Sequence, residues 1–328
     1  MPVPNFGTAT YYFIPAQSDI IRNKKLKPLV QINSLNCTSQ TSKLHFNKIQ
    51  TKMKKTPLIL AHRGLVTEYQ ENTLPAIQAA ISSPYCNGTE FDVFLTKDNK
   101  VVLFHDENLK RVTGVDRNIY DLTWDDLKTI KILPEIEVDG GIRKYSNAAN
   151  IPLLENVLEE IKGKDFFVDI ELKAYQPSWA KRKVGSAVAR IVKRMDIMEQ
   201  VICTSFNFFM LYDLEKEHRE VPSGFAYDDN MPLSMKRLNW LMEANIIGRL
   251  VYSNAVCSEH TIIDGDTIKK YHQRNMKVGT FTLYPLTPGE MPKKRKTYFS
   301  KEVKRLAVLG VDWIETDQPE LVWKDLYG

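Results

Sequence analysis

The chain has 328 residues, 43% of them apolar and 26% charged, an ordinary globular balance with room for one large core or two small ones. No apolar run approaches the roughly 20 residues needed to cross a bilayer, which excludes a transmembrane helix. Residues 1–56 hold nine Lys or Arg against the single acid Asp19, so the overall charge of +5 leaves the remainder slightly acidic at −3, and a nucleic-acid partner is not expected of the folded body.

Those first 56 residues are rich in Ser, Thr and Asn and lack periodicity. They read as a disordered extension, with organelle targeting, or a tail ahead of a start at Met53, as the other readings. The patch ATYYFIPA lacks the flanks of a secretory signal, and the folded body is expected in the cytoplasm. From Pro57 onward, strand-like runs alternate with helical periods. PLILA (57–61) precedes a helix over 73–81. TEFDVFL (89–95) is followed by a turn at Lys97–Lys100 and by VVLF (101–104). An irregular stretch, 107–150, reads as an insertion after this third strand. The alternation resumes with a helix over 151–162, FFVDIEL (166–172), a helix over 177–195, VICTSF (201–206) and a helix over 207–218. SGFAY (223–227), RLVYS (249–253), KVGTFTL (277–283) and VDWIET (311–316) complete the strands, separated by helices near 233–245, 264–275 and 299–309. Cys37, Cys86, Cys203 and Cys257 lie far apart without CxxC spacing and read as free thiols in a reducing compartment.

About eight strands interleaved with helices over residues 57–328 predict a (β/α)8 TIM barrel, and no glycine-rich phosphate loop argues for an open doubly wound sheet. Barrel sites lie at the C-terminal ends of the strands. There the sequence puts His62-Arg63, Glu90 with Asp92, His105-Asp106, and Glu171 with Lys173. Residues i and i+2 share a strand face, so Glu90 projects with Asp92, and Glu171 with Lys173. Two carboxylates on one strand plus a third nearby make a hard oxygen site for one divalent cation, Ca2+ or Mg2+. Arg63 and Lys173 suit an anionic ligand, and His62 and His105 suit acid/base work. Taken singly, each is a commonplace strand-end polar residue; their joint arrival on one rim points to metal-assisted phosphoryl chemistry.

The motifs AHRG (61–64), ENT (71–73), EFDVFLTKDNKVVLFHD (90–106), IPLLENVL (151–158), IELK (170–173), TSF (204–206) and GVDWIETDQP (310–319) resemble the glycerophosphodiester phosphodiesterase family over about 57–320. The resemblance implies a cation held by Glu90, Asp92 and Glu171, His62 and His105 as the acid/base pair, and Arg63 and Lys173 on the phosphate. It also implies a small glycerophosphodiester substrate cleaved to glycerol 3-phosphate and an alcohol, with a glycerol hydroxyl as nucleophile and a cyclic phosphate on the way. Glu71 and Asn72 match ENT; Glu71 is expected to orient Arg63 or His62, or else to act as a helix-start acid. Phe281 stands where the family has Trp, and Trp313 where it prefers a small residue; both are expected to shape the cleft for the alcohol. Lysophospholipid or sphingomyelin cleavage on the same barrel is the alternative activity, and a non-catalytic binding barrel the alternative class.

Overall fold

The computed structural model describes residues 56–173, 180–228 and 253–328. In it β1 (Leu58–His62) leads through α1 (Leu74–Ser82) to β2 (Gly88–Leu95), which turns back into the short β3 (Val101–Leu103). The insertion carries α2 (Lys110–Thr113), α3 (Trp124–Leu127), β4 (Lys131–Ile132), β5 (Glu135–Val138), β6 (Gly141–Lys144) and β7 (Ala149–Asn150). Then follow α4 (Leu154–Ile161), β8 (Phe167–Leu172), α5 (Lys183–Met195), β9 (Val201–Ser205), α6 (Phe208–Glu217) and β10 (Ser223–Tyr227). The chain closes with β11 (Ala255–Glu259), α7 (Gly265–Gln273), β12 (Lys277–Leu283), α8 (Lys293–Leu309), β13 (Trp313–Thr316) and α9 (Pro319–Tyr327).

Strands β1, β2 and β8 to β13 pair in parallel in that order, and β13 returns to β1. This is the expected closed eight-stranded barrel. One expectation is corrected: VVLF is not a barrel strand. The connection over 96–100 is far too short for the crossover a parallel pair requires, so β3 lies antiparallel on β2. The insertion therefore separates the second barrel strand from the third. The expected extension at 1–56, apart from Thr56, the helix near 233–245 and residues 249–252 of RLVYS lie outside the described residues; the strand described after them is β11.

Alternation along each strand sorts the core into layers. Leu58 and Leu60 of β1 face into the barrel with Phe167, Ile202, Ala226, Ala255, Cys257 and Trp313. Ala61, Phe91, Val93, Ile170 and Leu172 face out, under α4, α5 and α6, and Ile59, Val278 and Ile314 pack beneath α7, α8 and α9. The insertion has a core of its own around Phe104, Leu109, Leu122, Leu127, Ile132 and Ile136. Its β5–β6 hairpin turns at Asp139 and Gly140, both with positive φ (48° and 75°), the backbone that an Asp-Gly pair favours in a two-residue turn. None of the described helices is long and apolar enough to cross a membrane.

Candidate active site

β1 ends at His62, and Arg63 and Gly64 then take positive φ (59° and 87°). Gly64 is required: a Cβ there would lie 2.7 Å from the Ala76 side chain at the start of α1. Arg63 has no such freedom, so its left-handed backbone is strain held by its surroundings. Its amide donates to Glu90 Oε2 at 3.0 Å, and its carbonyl accepts the amide of Asn72 at 3.0 Å. Asn72, itself at φ 58°, reaches Asp92 twice: Nδ2 donates to Oδ2 at 2.8 Å, and Asp92 N donates to Asn72 Oδ1 at 3.0 Å. Thr73 caps α1, so the loop is pinned at both ends.

Glu90 and Asp92 on β2 and Glu171 on β8 come together as expected, with one oxygen of each within 4.8 Å of the others. Glu90 Oε1 is buried without a hydrogen-bond donor. Lys173 Nζ stands 2.7 Å from Glu171 Oε1 and 3.1 Å from Asp92 Oδ1, and Arg63 Nε is 3.2 Å from Asp92 Oδ2. Desolvation, then the charges of Asp92, Glu315 and Glu171, push the Glu90 carboxyl well above its ordinary pKa. Burial also raises Asp92, but Lys173, His105 and Arg63 outweigh it and hold that carboxyl far below the usual range. Three carboxylates gathered around one point, with Glu90 Oε1 undonated, fit a hard divalent cation, whose charge would offset their repulsion.

Both histidines lie at this cluster, each hydrogen-bonded to an aspartate. His62 Nδ1 donates to Asp317 Oδ1 at 2.6 Å, while its Nε2 lies 3.8 Å from Glu90 Oε2. The other Asp317 oxygen accepts the Leu286 amide at 2.5 Å, which ties the β12–α8 loop to the site. His105 Nδ1 donates to Asp106 Oδ1 at 2.6 Å. Burial first, then Arg63 and Lys173, lower the His105 pKa to about 4. A carboxylate on Nδ1 selects the tautomer that leaves Nε2 to work.

Glu71 lies ahead of α1, not within it, and pairs with Arg63 Nη1 at 3.2 Å. Sequence reasoning gave no part to Asp317, Asp106 or Arg111. Asp106 and Asp317 lie inside the family-like motifs at 90–106 and 310–319, whereas nothing local marks Arg111. Deeper in the barrel Asp169, Cys257 and Glu315 form a second buried group. Trp313 Nε1 and Cys257 Sγ both donate to Glu315 Oε1, at 2.9 and 3.2 Å.

That contact corrects the placing of Trp313 in the cleft. The ring is fully buried on the barrel floor, tilted on Phe167 and laid over Gly279, where a Cβ would sit 2.0 Å from it. It occupies space a larger residue on β12 would fill. Phe281 sits one layer higher and meets Phe206 edge-on at 5.7 Å, with Lys173 6.0 Å from the Phe206 centroid.

A family model for the glycerophosphoryl diester phosphodiesterase family matches residues 62–321. The chain belongs to this family. A glycerophosphodiester phosphodiesterase from Caldanaerobacter subterraneus subsp. tengcongensis is 28% identical over 80% of the chain and 95% of its own length. A human lysophospholipase D is 30% identical over 56% of the chain and 55% of its own length. A phosphodiesterase from Oleispira antarctica superposes with a TM-score of 0.62 at 20% identity, covering 83% of this chain and 98% of that one, a likeness of fold. As a member of the glycerophosphoryl diester phosphodiesterase family, the chain is a phosphoric diester hydrolase acting on glycerophosphodiesters.

Proposed function

We propose that this rim hydrolyses small glycerophosphodiesters, such as glycerophosphocholine, glycerophosphoethanolamine or glycerophosphoinositol, to glycerol 3-phosphate and an alcohol. The observation that carries the reading is the pair of aspartate-backed histidines beside three carboxylates gathered within 4.8 Å of one another. Glu90, Asp92 and Glu171 would hold one divalent cation, Ca2+ or Mg2+, which when bound supplies positive charge against the phosphate and eases deprotonation of a nucleophilic hydroxyl. Arg63 and Lys173 border the same carboxylates and would grip the phosphoryl oxygens, Arg with a planar fork and Lys with a point charge.

One histidine takes the proton of the attacking hydroxyl through Nε2 as the new P–O bond forms. The other gives its proton to the departing alcohol oxygen as the old P–O bond breaks. With a glycerol hydroxyl as nucleophile, the first product is a cyclic phosphate, and water opens it with the two histidines exchanging roles. Asp317 and Asp106 keep both rings in register and stabilise whichever is transiently protonated. The Oleispira relative was solved in complex with the product sn-glycerol-3-phosphate, which agrees with this chemistry.

The Phe206–Phe281 wall and the human lysophospholipase D relative support a second reading, cleavage of lysophospholipids. The assay that separates the two compares glycerophosphocholine, glycerophosphoethanolamine and glycerophosphoinositol with lysophosphatidylcholine. Turnover is expected on at least one of the first three. Activity confined to lysophosphatidylcholine would favour the second reading, and inactivity on all four would overturn both.

A further inference from the structure

An unbroken line of charged contacts joins the two sides of the site. Arg63 Nη1 meets Glu71 Oε1 at 3.2 Å. Arg111 clasps the same carboxylate with both terminal nitrogens, Nη2 to Oε1 at 2.5 Å and Nη1 to Oε2 at 3.0 Å. Its Nε donates to Asp106 Oδ2 at 2.5 Å. Asp106 then accepts from His105 Nδ1 at 2.6 Å. Arg111 comes from α2 in the insertion, outside the barrel, yet both of its carboxylate partners are those that contact Arg63 and His105.

Only arginine among the cationic side chains serves two carboxylates in this way, because its planar guanidinium presents donors along separate edges. A lysine ammonium holds its donors on one atom and serves two carboxylates only where both converge on it, as Glu171 and Asp92 do on Lys173; Glu71 and Asp106 instead take different edges of the Arg111 guanidinium. Both carboxylates are ionised. Burial raises the Glu71 pKa, but Arg63 and Arg111 bring it down to about 2. Burial likewise works against Asp106, and hydrogen bonds from His105 and Arg111 hold it below the usual range. Without Arg111, two anions would face each other across the gap, and Asp106 and Glu71 would lose the group that fixes their rotamers.

We infer that Arg111 is a positioning residue for the phosphodiester reaction: through Glu71 and Asp106 it locks Arg63 and His105 into one rigid unit. The insertion thereby sets the geometry of the site. This inference rests on the roles proposed above for Arg63 and His105. The alternative is that Arg111 merely fastens the insertion to the barrel, in which case its loss lowers stability but leaves the turnover of folded enzyme alone.

Steady-state kinetics on the preferred glycerophosphodiester, with thermal melting as a check of folding, separate these outcomes for Arg111→Ala and Arg111→Lys. Wild-type turnover comes first; an inactive wild type would overturn the functional reading itself. With active wild type, kcat is expected to fall about 10–100-fold in both variants, as for other groups that orient a reacting side chain, while KM changes less than kcat. Guanidinium ion at tens of millimolar is expected to restore part of kcat to Arg111→Ala and nothing to Arg111→Lys. If Arg111→Ala does not fold, Arg111→Lys, which keeps bulk and charge, decides. A folded variant with kcat within twofold of wild type, or a loss confined to KM, would overturn the inference.

Discussion

The two arcs of the barrel mouth differ in kind. β1, β2 and β8, with the loops behind them, bring His62, Arg63, Glu90, Asp92, Glu171 and Lys173 to one side, cross-braced by Asn72 and Glu71. β9 and β12 bring Phe206 and Phe281, which touch each other and pack down on the apolar barrel floor. The charged arc is built almost without slack: a strained Arg63, a carboxamide hooked to Asp92 by two hydrogen bonds, and each histidine held by an aspartate. In the aromatic arc the hydrogen bonds of Ser205 and Asn207 hold the backbone on either side of Phe206, and the rings themselves are placed by packing. Charge that must meet a developing transition state needs preorganisation, while a wall that receives a variable alcohol needs only shape. Under the proposed function, chemistry and choice of alcohol would fall to different strands.

The contrast can be broken by variants on either side. His62→Ala or His105→Ala is expected to lower kcat by about 10²–10⁴-fold, the usual contribution of a general acid or base, with the melting curve preserved; near-normal turnover would remove the charged arc from the chemistry. Asn72→Ala should weaken divalent-cation binding by about 10–100-fold, because Asp92 loses its partner. Calorimetric titration with Ca2+ or Mg2+ measures this, and an unchanged affinity would contradict the brace. Across the mouth, Phe281→Ala is expected to change the ratio of kcat/KM among alcohols by about 10-fold, in line with the ~1–3 kcal/mol that apolar contacts discriminate, with kcat on the best substrate little altered. Trp313→Ala should leave that ratio as it is and cost about 3–5 kcal/mol of stability in denaturant unfolding. A shift in alcohol preference in this variant would return Trp313 to the cleft.

Much of the charged arc was legible because strand alternation is rigid: once β2 and β8 were found, Glu90 with Asp92 and Glu171 with Lys173 had to share a face. What joins them was hidden by sequence distance. Asn72 meets Asp92 across 20 residues, Arg111 meets Glu71 across 40, and Asp317 meets His62 across 255. No local pattern encodes such pairs; the closed barrel creates them. Strand-like composition also misassigned β3, whose apolar run says nothing of direction, although the short turn before it did. Trp313 was misplaced because residue type reveals size but not depth. Its parity with Glu315 puts it inside the barrel, and Gly279 on the neighbouring strand leaves the space it fills.

The proposed function requires Glu90, Asp92 and Glu171 to gather one divalent cation beside the two histidines. The most direct test is turnover of the preferred glycerophosphodiester after exhaustive treatment with EDTA and desalting, followed by addition of Ca2+ or Mg2+, in wild type and in Asp92→Asn. Wild-type activity is expected to vanish and return with the metal, while Asp92→Asn stays inactive at the same metal concentration. Full turnover of metal-stripped wild type in the presence of chelator would contradict the account.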